Sequence, residues 1–290
     1  MSNLTPLKKL QQHHQRWQGL LGSSSFLIQE IGIRLLERLE LIKLEPSQIL
    51  DINPLLDSQT KELLRYYPKA VVLSSHIESN SVLKPQYFWQ RWGNYEKRLV
   101  ADPHQLPLPE ESVDFIFSNC FFFSSWDITK LVNEWHRVLR PNGLVLFSTF
   151  GPDTLKEWRV TEAKVEANTS SQAKSSSFID MHDIGDGLLQ QGFSDPVMDM
   201  EMLTIYYASF KELCQDLRVN NVAAVTPVSE VFRGKKYWEA MEENYPRDPT
   251  NHKLPVTCEI IYGHAWKLKK APVNMPSEFA VPIQRIQRAR

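Results

Sequence analysis

The stretch ILDINPLLDSQ, residues 49–59, decides how the rest of the chain is read. A short β-branched run ends in Asp51, and a helical pattern restarts near Thr60. A strand running into a turn and then a helix is how a nucleotide-type cofactor loop begins. Yet no glycine stands between Asp51 and Thr60, where Asn53, Pro54, Leu55 and Asp57 are found instead. Glycine serves such loops because bare backbone can approach a ligand, often at positive φ. A leucine held in that conformation costs on the order of 1–2 kcal/mol, and Pro54 removes a backbone donor and restrains Asn53.

Outward from this loop the pattern is regular. SQILDI (47–52), AVVLSS (70–75), VDFIFSN (113–119) and LVLFSTF (144–150) are strand-like apolar runs with helical patterns between most of them. One of these, ITKLVNEWHRVL (128–139), stops at RPNG (140–143). Nearly continuous hydrophobic strands alternating with helices predict an α/β fold with a parallel, doubly wound, twisted sheet covered on both faces. Before the loop, Ser25 to Leu44 reads as an amphipathic helix. After it, residues 161–177 are small and polar and read as a loop, 181–193 as a helix ending at Gly192, and 198–207 as a strand. Residues 208–255 read as helices and loops, CEIIYGHAWKL (258–268) as a late strand, and the proline-bearing end as a tail. The organisation expected is therefore an extension over 1–24, a core over 25–207, a helical cap over 208–255, a final core strand over 256–268 and a tail over 269–290.

Length and composition bound the function. The 290 residues, 42% hydrophobic, suffice for one large α/β domain with a smaller attachment. Cys120, Cys214 and Cys258 form no CxxC pair, which argues for a reducing compartment and a cytoplasmic protein without disulfides. No secretory leader and no apolar run long enough to span a membrane is read in the sequence. A net charge of −1 argues against general nucleic-acid binding. The charge is uneven: residues 211–290 carry 13 Lys and Arg against 9 Asp and Glu, an excess that either attracts an acidic partner or is a solvated face. His13, His14, His136 and His264 lack metal-ligand spacing, and no metal is expected. No G-x-S-x-G elbow supports a hydrolase. The aromatic and basic run 86–98 is read as packing in preference to base stacking.

Five segments in order carry a family resemblance: LLERLELIKLEPSQILDI (35–52), ADPHQLPLPEESVDFIFSN (101–119), FSTFGPDTLKEW (147–158), FIDMHDIGDGLLQQGFSDPVMDMEMLTIYY (178–207) and EIIYGHAWK (259–267). From about residue 25 to 268 the chain resembles class I S-adenosylmethionine-dependent methyltransferases, and within them the malonyl-[acyl-carrier protein] O-methyltransferases of biotin synthesis. The resemblance implies a Rossmann-like methyltransferase fold with a helical C-terminal cap, S-adenosylmethionine as co-substrate, a malonyl thioester as acceptor and acyl carrier protein as partner.

It also implies site residues. Asp51, Asn53 and Leu55 fall on the D-x-G-x-G-x-G loop, with two of its glycines replaced by Asn53 and Leu55 and a third by Asp57. His76 stands near the end of the second strand, where the family has an acid for the ribose hydroxyls, and Glu78 is the nearest substitute. Losing two charge-assisted hydrogen bonds weakens binding by about 3–6 kcal/mol, a factor of roughly 10² to 10⁴. Asp102 matches the acid that contacts adenine, or else caps a turn, and Pro103 would shape that wall. Asn119 and Cys120 fall on the methyl-donor pocket, while the family's Gln-Trp pair is replaced by Phe123 and Ser124. Methyl transfer to a carboxylate needs positioning more than acid–base groups. An arginine would orient the malonyl carboxylate, and Arg159 and Arg218 are the candidates. Two readings follow: an enzyme with an altered pocket and weakened or lost S-adenosylmethionine binding, or a non-catalytic paralogue serving as a binding or assembly module.

Overall fold

The computed structural model describes residue 8 and residues 26–52, 57–77, 96–122, 125, 127–167, 178–219 and 234–269. Asn53, Leu55, Glu78, Phe123, Ser124, residues 86–95 and the tail from 270 lie outside the described residues.

Helix α1 (Phe26–Glu37) leads into a 3-10 turn (Arg38–Leu41), followed by β1 (Gln48–Ile52), α2 (Asp57–Tyr66), β2 (Val71–His76), β3 (Glu96–Val100) and β4 (Val113–Ser118). Then come α3 (Ile128–Val138), β5 (Leu139–Phe150), α4 (Lys156–Ala167), α5 (Met181–Gln190), β6 (Ser194–Tyr207), α6 (Phe210–Val219), α7 (Lys235–Asn244) and β7 (Leu254–Lys267). Among the described residues the sheet has seven strands in the order β3-β2-β1-β4-β5-β7-β6. The pairs from β3 to β5 are parallel, whereas β7 runs antiparallel to both β5 and β6. This is the Rossmann-like α/β architecture the alternating pattern predicts. β1 pairs on one side with β2 and on the other with β4, so the strand order reverses there, and the crevice over the carboxyl end of β1 is the natural ligand position.

Period-two alternation sends side chains to two cores. On one face Ile49, Val72, Phe115, Phe117, Leu144 and Leu146 meet α1 through Ile28, Ile31 and Leu35, together with Trp158 and Phe210, which stack with ring centroids 5.8 Å apart. On the other face Leu50, Ile52, Ile116, Val145 and Phe147 meet Leu131, Trp135 and Val138 of α3 and Leu188 of α5. Helix α3 forms because its apolar residues recur at helical spacing and because Asp127 caps it, accepting from the Lys130 amide at 2.9 Å.

Several boundaries differ from the pattern. The first helix ends at Glu37, short of the expected Leu44. Residues 161–167, expected as loop, continue α4, because Trp158, Thr161, Glu162 and Val165 recur every three or four residues and are buried. β6 starts at Ser194 and β7 at Leu254, both earlier than expected, since pairing along their lengths extends the ladder. The RPNG segment lies within β5, with Asn142 in the left-handed region at φ 64°.

Candidate functional site

At the carboxyl end of β1, Asp51 is fully buried. Both of its oxygens are engaged from the same helix: Gln59 Nε2 donates to Oδ1 at 3.1 Å and Thr60 Oγ1 to Oδ2 at 2.8 Å. Helical spacing places Gln59 and Thr60 on the inner face of α2 with Leu63, which is why polar side chains of that helix reach the strand end.

The hydrogen bonds continue across the switch point. Asn119 Nδ2 donates to Gln59 Oε1 and to the Ile28 carbonyl of α1, both at 2.9 Å. Ser148 Oγ of β5 donates to Asn119 Oδ1 at 2.7 Å and accepts from the Cys120 amide at 2.9 Å. Asp51, Gln59, Thr60, Asn119, Cys120 and Ser148 are all buried, so one chain of hydrogen bonds joins β1, α2, β4, β5 and α1. Gly32 lets α1 lie this close, because a Cβ there would stand 2.8 Å from Asn119 Nδ2.

Burial dominates the electrostatics. It pushes the Asp51 carboxyl from 3.8 up to about 7, against the opposing hydrogen bonds from Thr60 and Gln59. Burial also pushes the Cys120 thiol up to about 12, which removes it as a nucleophile at neutral pH. Cys120 is held at φ 52°, a left-handed conformation uncommon for a side chain of this kind.

The other sequence-derived residues are placed apart from this chain of bonds. His76 is buried at the end of β2, and its carbonyl accepts from the Ala101 amide at 2.9 Å. Asp102 caps a turn: its Oδ1 accepts from the His104 backbone amide at 2.9 Å and lies 3.0 Å from His104 Nδ1. Pro103 is buried in that turn. Arg159, on α4, donates from Nη2 to the Pro152 carbonyl at the carboxyl end of β5. Arg218 belongs to α6, and its side chain lies outside the described residues. The structure thus brings Asp51, Asn119 and Cys120 together. Sequence reading did not select Gln59, Thr60 and Ser148, although helix and strand periodicity alone face them inward.

Beside Gln59 a cleft of about 390 Å³ opens between α1 and α2, walled by Gly32, Ile33 and Leu36 and edged by Glu37, Glu62 and Tyr66. Among the described residues no group of three or more His, Cys, Asp or Glu is placed to hold a metal ion, and no helix is long and apolar enough to cross a membrane.

The sheet order and the helices on both faces define the Rossmann-like fold of class I methyltransferases. A methyltransferase domain family matches residues 56–147. The fold matches the YcgJ protein of Bacillus subtilis, with a TM-score of 0.54 at 13% identity, covering 81% of this chain and 98% of that one. It also matches a phosphoethanolamine N-methyltransferase 2 of Haemonchus contortus, solved in complex with phosphomonomethylethanolamine and S-adenosylhomocysteine. That match has a TM-score of 0.54 at 15% identity and covers 92% of this chain and 61% of that one. A malonyl-[acyl-carrier protein] O-methyltransferase of Gallionella capsiferriformans is 38% identical over 251 residues, which are 84% of this chain and 85% of its own. One from Legionella pneumophila is 33% identical over 259 residues, 89% of each chain. The chain belongs to the malonyl-[acyl-carrier protein] O-methyltransferase family.

Proposed function

We propose that this chain is a malonyl-[acyl-carrier protein] O-methyltransferase relative whose binding of S-adenosylmethionine is weakened or lost. In this reading it works in the cytoplasm and keeps recognition of an acyl-carrier-protein-borne malonyl thioester, as a binding module or a much weakened enzyme. The observation that carries the reading is the engagement of Asp51: each oxygen of this strand-end carboxylate already accepts a hydrogen bond from α2. A carboxyl pushed up to about 7 is in addition partly neutral at physiological pH, a poor partner for the ammonium of a methionine moiety. His76 in place of an acid and a loop without glycine at 53–57 support the same reading, as does Asp102, whose Oδ1 is turned onto His104. These residues do not fit S-adenosylmethionine, so no chemical step is derived through it.

The identity to relatives named for malonyl-[acyl-carrier protein] spans most of the chain, which supports acyl carrier protein as partner. Arg159 is offered as the cation for a malonyl carboxylate, because its bond to Pro152 leaves further guanidinium donors. Arg218 is the second candidate. Isothermal titration of the full chain with S-adenosylmethionine is expected to give no saturable heat up to about 1 mM, whereas binding in the micromolar range refutes the reading.

A gain-of-function test probes the same assignment. If the filled loop and missing acid weaken the cradle, Leu55→Gly combined with His76→Asp strengthens residual binding by about one to two orders of magnitude, the value of one recovered charge-assisted hydrogen bond. Unchanged affinity in competition against a fluorescent S-adenosylhomocysteine analogue would mean that the cradle lies elsewhere.

A further inference from the structure

Asp102, His104 and Ser125 stand in hydrogen-bond sequence on the loops following β3 and β4. Asp102 Oδ1 lies 3.0 Å from His104 Nδ1, and His104 Nε2 lies 2.8 Å from Ser125 Oγ. The proton positions follow from the partners. Asp102 Oδ1 already accepts from the backbone amide of His104, so it is an acceptor, and Nδ1 must be the nitrogen that carries hydrogen. Nε2 of the neutral ring is then bare, and the Ser125 hydroxyl must donate to it.

We propose that Ser125 is a nucleophile, with His104 as its general base and Asp102 as the residue that positions that base, giving this chain a hydrolytic activity on carboxylic esters and thioesters. The proposal stands whether or not the protein binds S-adenosylmethionine. No elbow motif announces such a serine in the sequence, but nucleophile, base and orienting acid are recognised by geometry and role rather than by position in the chain.

Further features favour this chemistry. The His104 ring is buried while Ser125 is half-exposed, so the hydroxyl is reachable and its base is shielded from water. Burial lowers the His104 imidazole below its ordinary value, despite the opposing effect of Asp102, which keeps it neutral and able to take a proton. Ser125 also lies two residues before the cap of α3, where the Asp127 amide donates to Ser125 Oγ at 3.3 Å. Past Phe122, a cleft of about 390 Å³ between α3 and α5 is lined by Phe122, Ile128 and Ile184 together with Asp183, Asp186 and Gln190, and an acyl chain would lie along its apolar residues. Phe122 is joined to the nucleophile, its carbonyl accepting from the Ser125 amide at 3.2 Å.

The step balances without a redox partner. Ser125 Oγ bonds to the acyl carbon as its proton passes to His104 Nε2. The carbon–sulfur or carbon–oxygen bond to the leaving group breaks, and His104 returns the proton to the departing thiolate or alkoxide. Water then attacks the acyl-serine, again losing a proton to His104, and the carboxylic acid leaves as Ser125 regains its hydrogen.

The test uses the full chain and an alkyl fluorophosphonate, which bonds covalently to activated serines, followed by intact mass and peptide mapping. One adduct per chain at Ser125 is expected, with p-nitrophenyl acetate hydrolysed in a stoichiometric burst. Ser125→Ala should abolish both, and His104→Gln should slow labelling by at least about 100-fold. Asp102→Asn should lower kcat for p-nitrophenyl acetate with KM unchanged, a split that a merely structural role would not produce. An unlabelled wild-type chain, an adduct on any other residue, or labelling of a folded His104→Gln variant at the wild-type rate overturns the proposal. Should His104→Gln fail to fold, the position of the wild-type adduct decides alone.

Discussion

Replacing Asn119 with leucine is expected to lower the unfolding free energy by about 2–5 kcal/mol. Leucine has nearly the same shape, so little packing is lost and the effect isolates polar connectivity. The substitution strands Gln59 Oε1, deprives the Ser148 hydroxyl of its acceptor and cuts the tie to the Ile28 carbonyl. Each buried polar group left without its partner costs about 1–3 kcal/mol, and the Ile28 carbonyl loses less because it belongs to a helix. Urea unfolding followed by tryptophan fluorescence and by circular dichroism measures the loss. A decrease below about 1 kcal/mol would show that these bonds are not what holds α1 over the strand ends. Asn119→Leu should also make the amides of α1 exchange faster with solvent than those of β5. The reason is that Asn119 is the side chain joining this helix to the polar chain beneath it, while β5 remains paired on both sides.

Much of the architecture follows from period alone. SQILDI, VDFIFSN and LVLFSTF are strands because both of their faces are apolar, and the helices between them supply the cover. What periodicity missed were the places where a local signal pointed one way and packing another. Residues 161–167 look like loop by composition, yet the buried face of α4 runs through Thr161 and Val165. The position of Asp51 in the site was legible because a strand end before a helix start has one meaning in an open parallel sheet. Asn119 was legible only through the family resemblance, and Gln59, Thr60 and Ser148 were not selected; Ser148 lies 97 positions beyond Asp51, and only the sheet order β1-β4-β5 brings it into the same chain of bonds. The same holds for Ser125, which a motif search passes over because its base is on a different loop. Asp102 was open to two readings, a ligand contact or a turn cap, and its bonds to His104 realise the cap.

Asp51 should make a contribution to stability that falls as pH rises from about 4 to about 7, and Asp51→Asn should abolish that contribution. A carboxyl at 3.8 in the unfolded chain and at about 7 in the folded one binds more protons when folded throughout this interval. Unfolding then releases protons, and the slope of stability against pH is negative. The penalty is absent below about 4, grows through the window and is complete above about 7, where it reaches the order of 4 kcal/mol. Other groups titrate in the same range, among them His104 and His264, whose burial lowers both and removes stability on the acid side. They are common to both chains, so the difference between wild type and Asp51→Asn isolates the carboxyl. Asparagine is nearly isosteric, and the Thr60 hydroxyl, which donates to Asp51 today, can accept from the new amide. The two proteins should unfold at similar urea concentrations near pH 4, and the variant should be the more stable by several kcal/mol at pH 8. A constant difference across the range would mean that Asp51 is ionised in the fold even at low pH. The argument for a closed cofactor cradle would then lose the neutral carboxyl and rest on the hydrogen bonds from Gln59 and Thr60 alone.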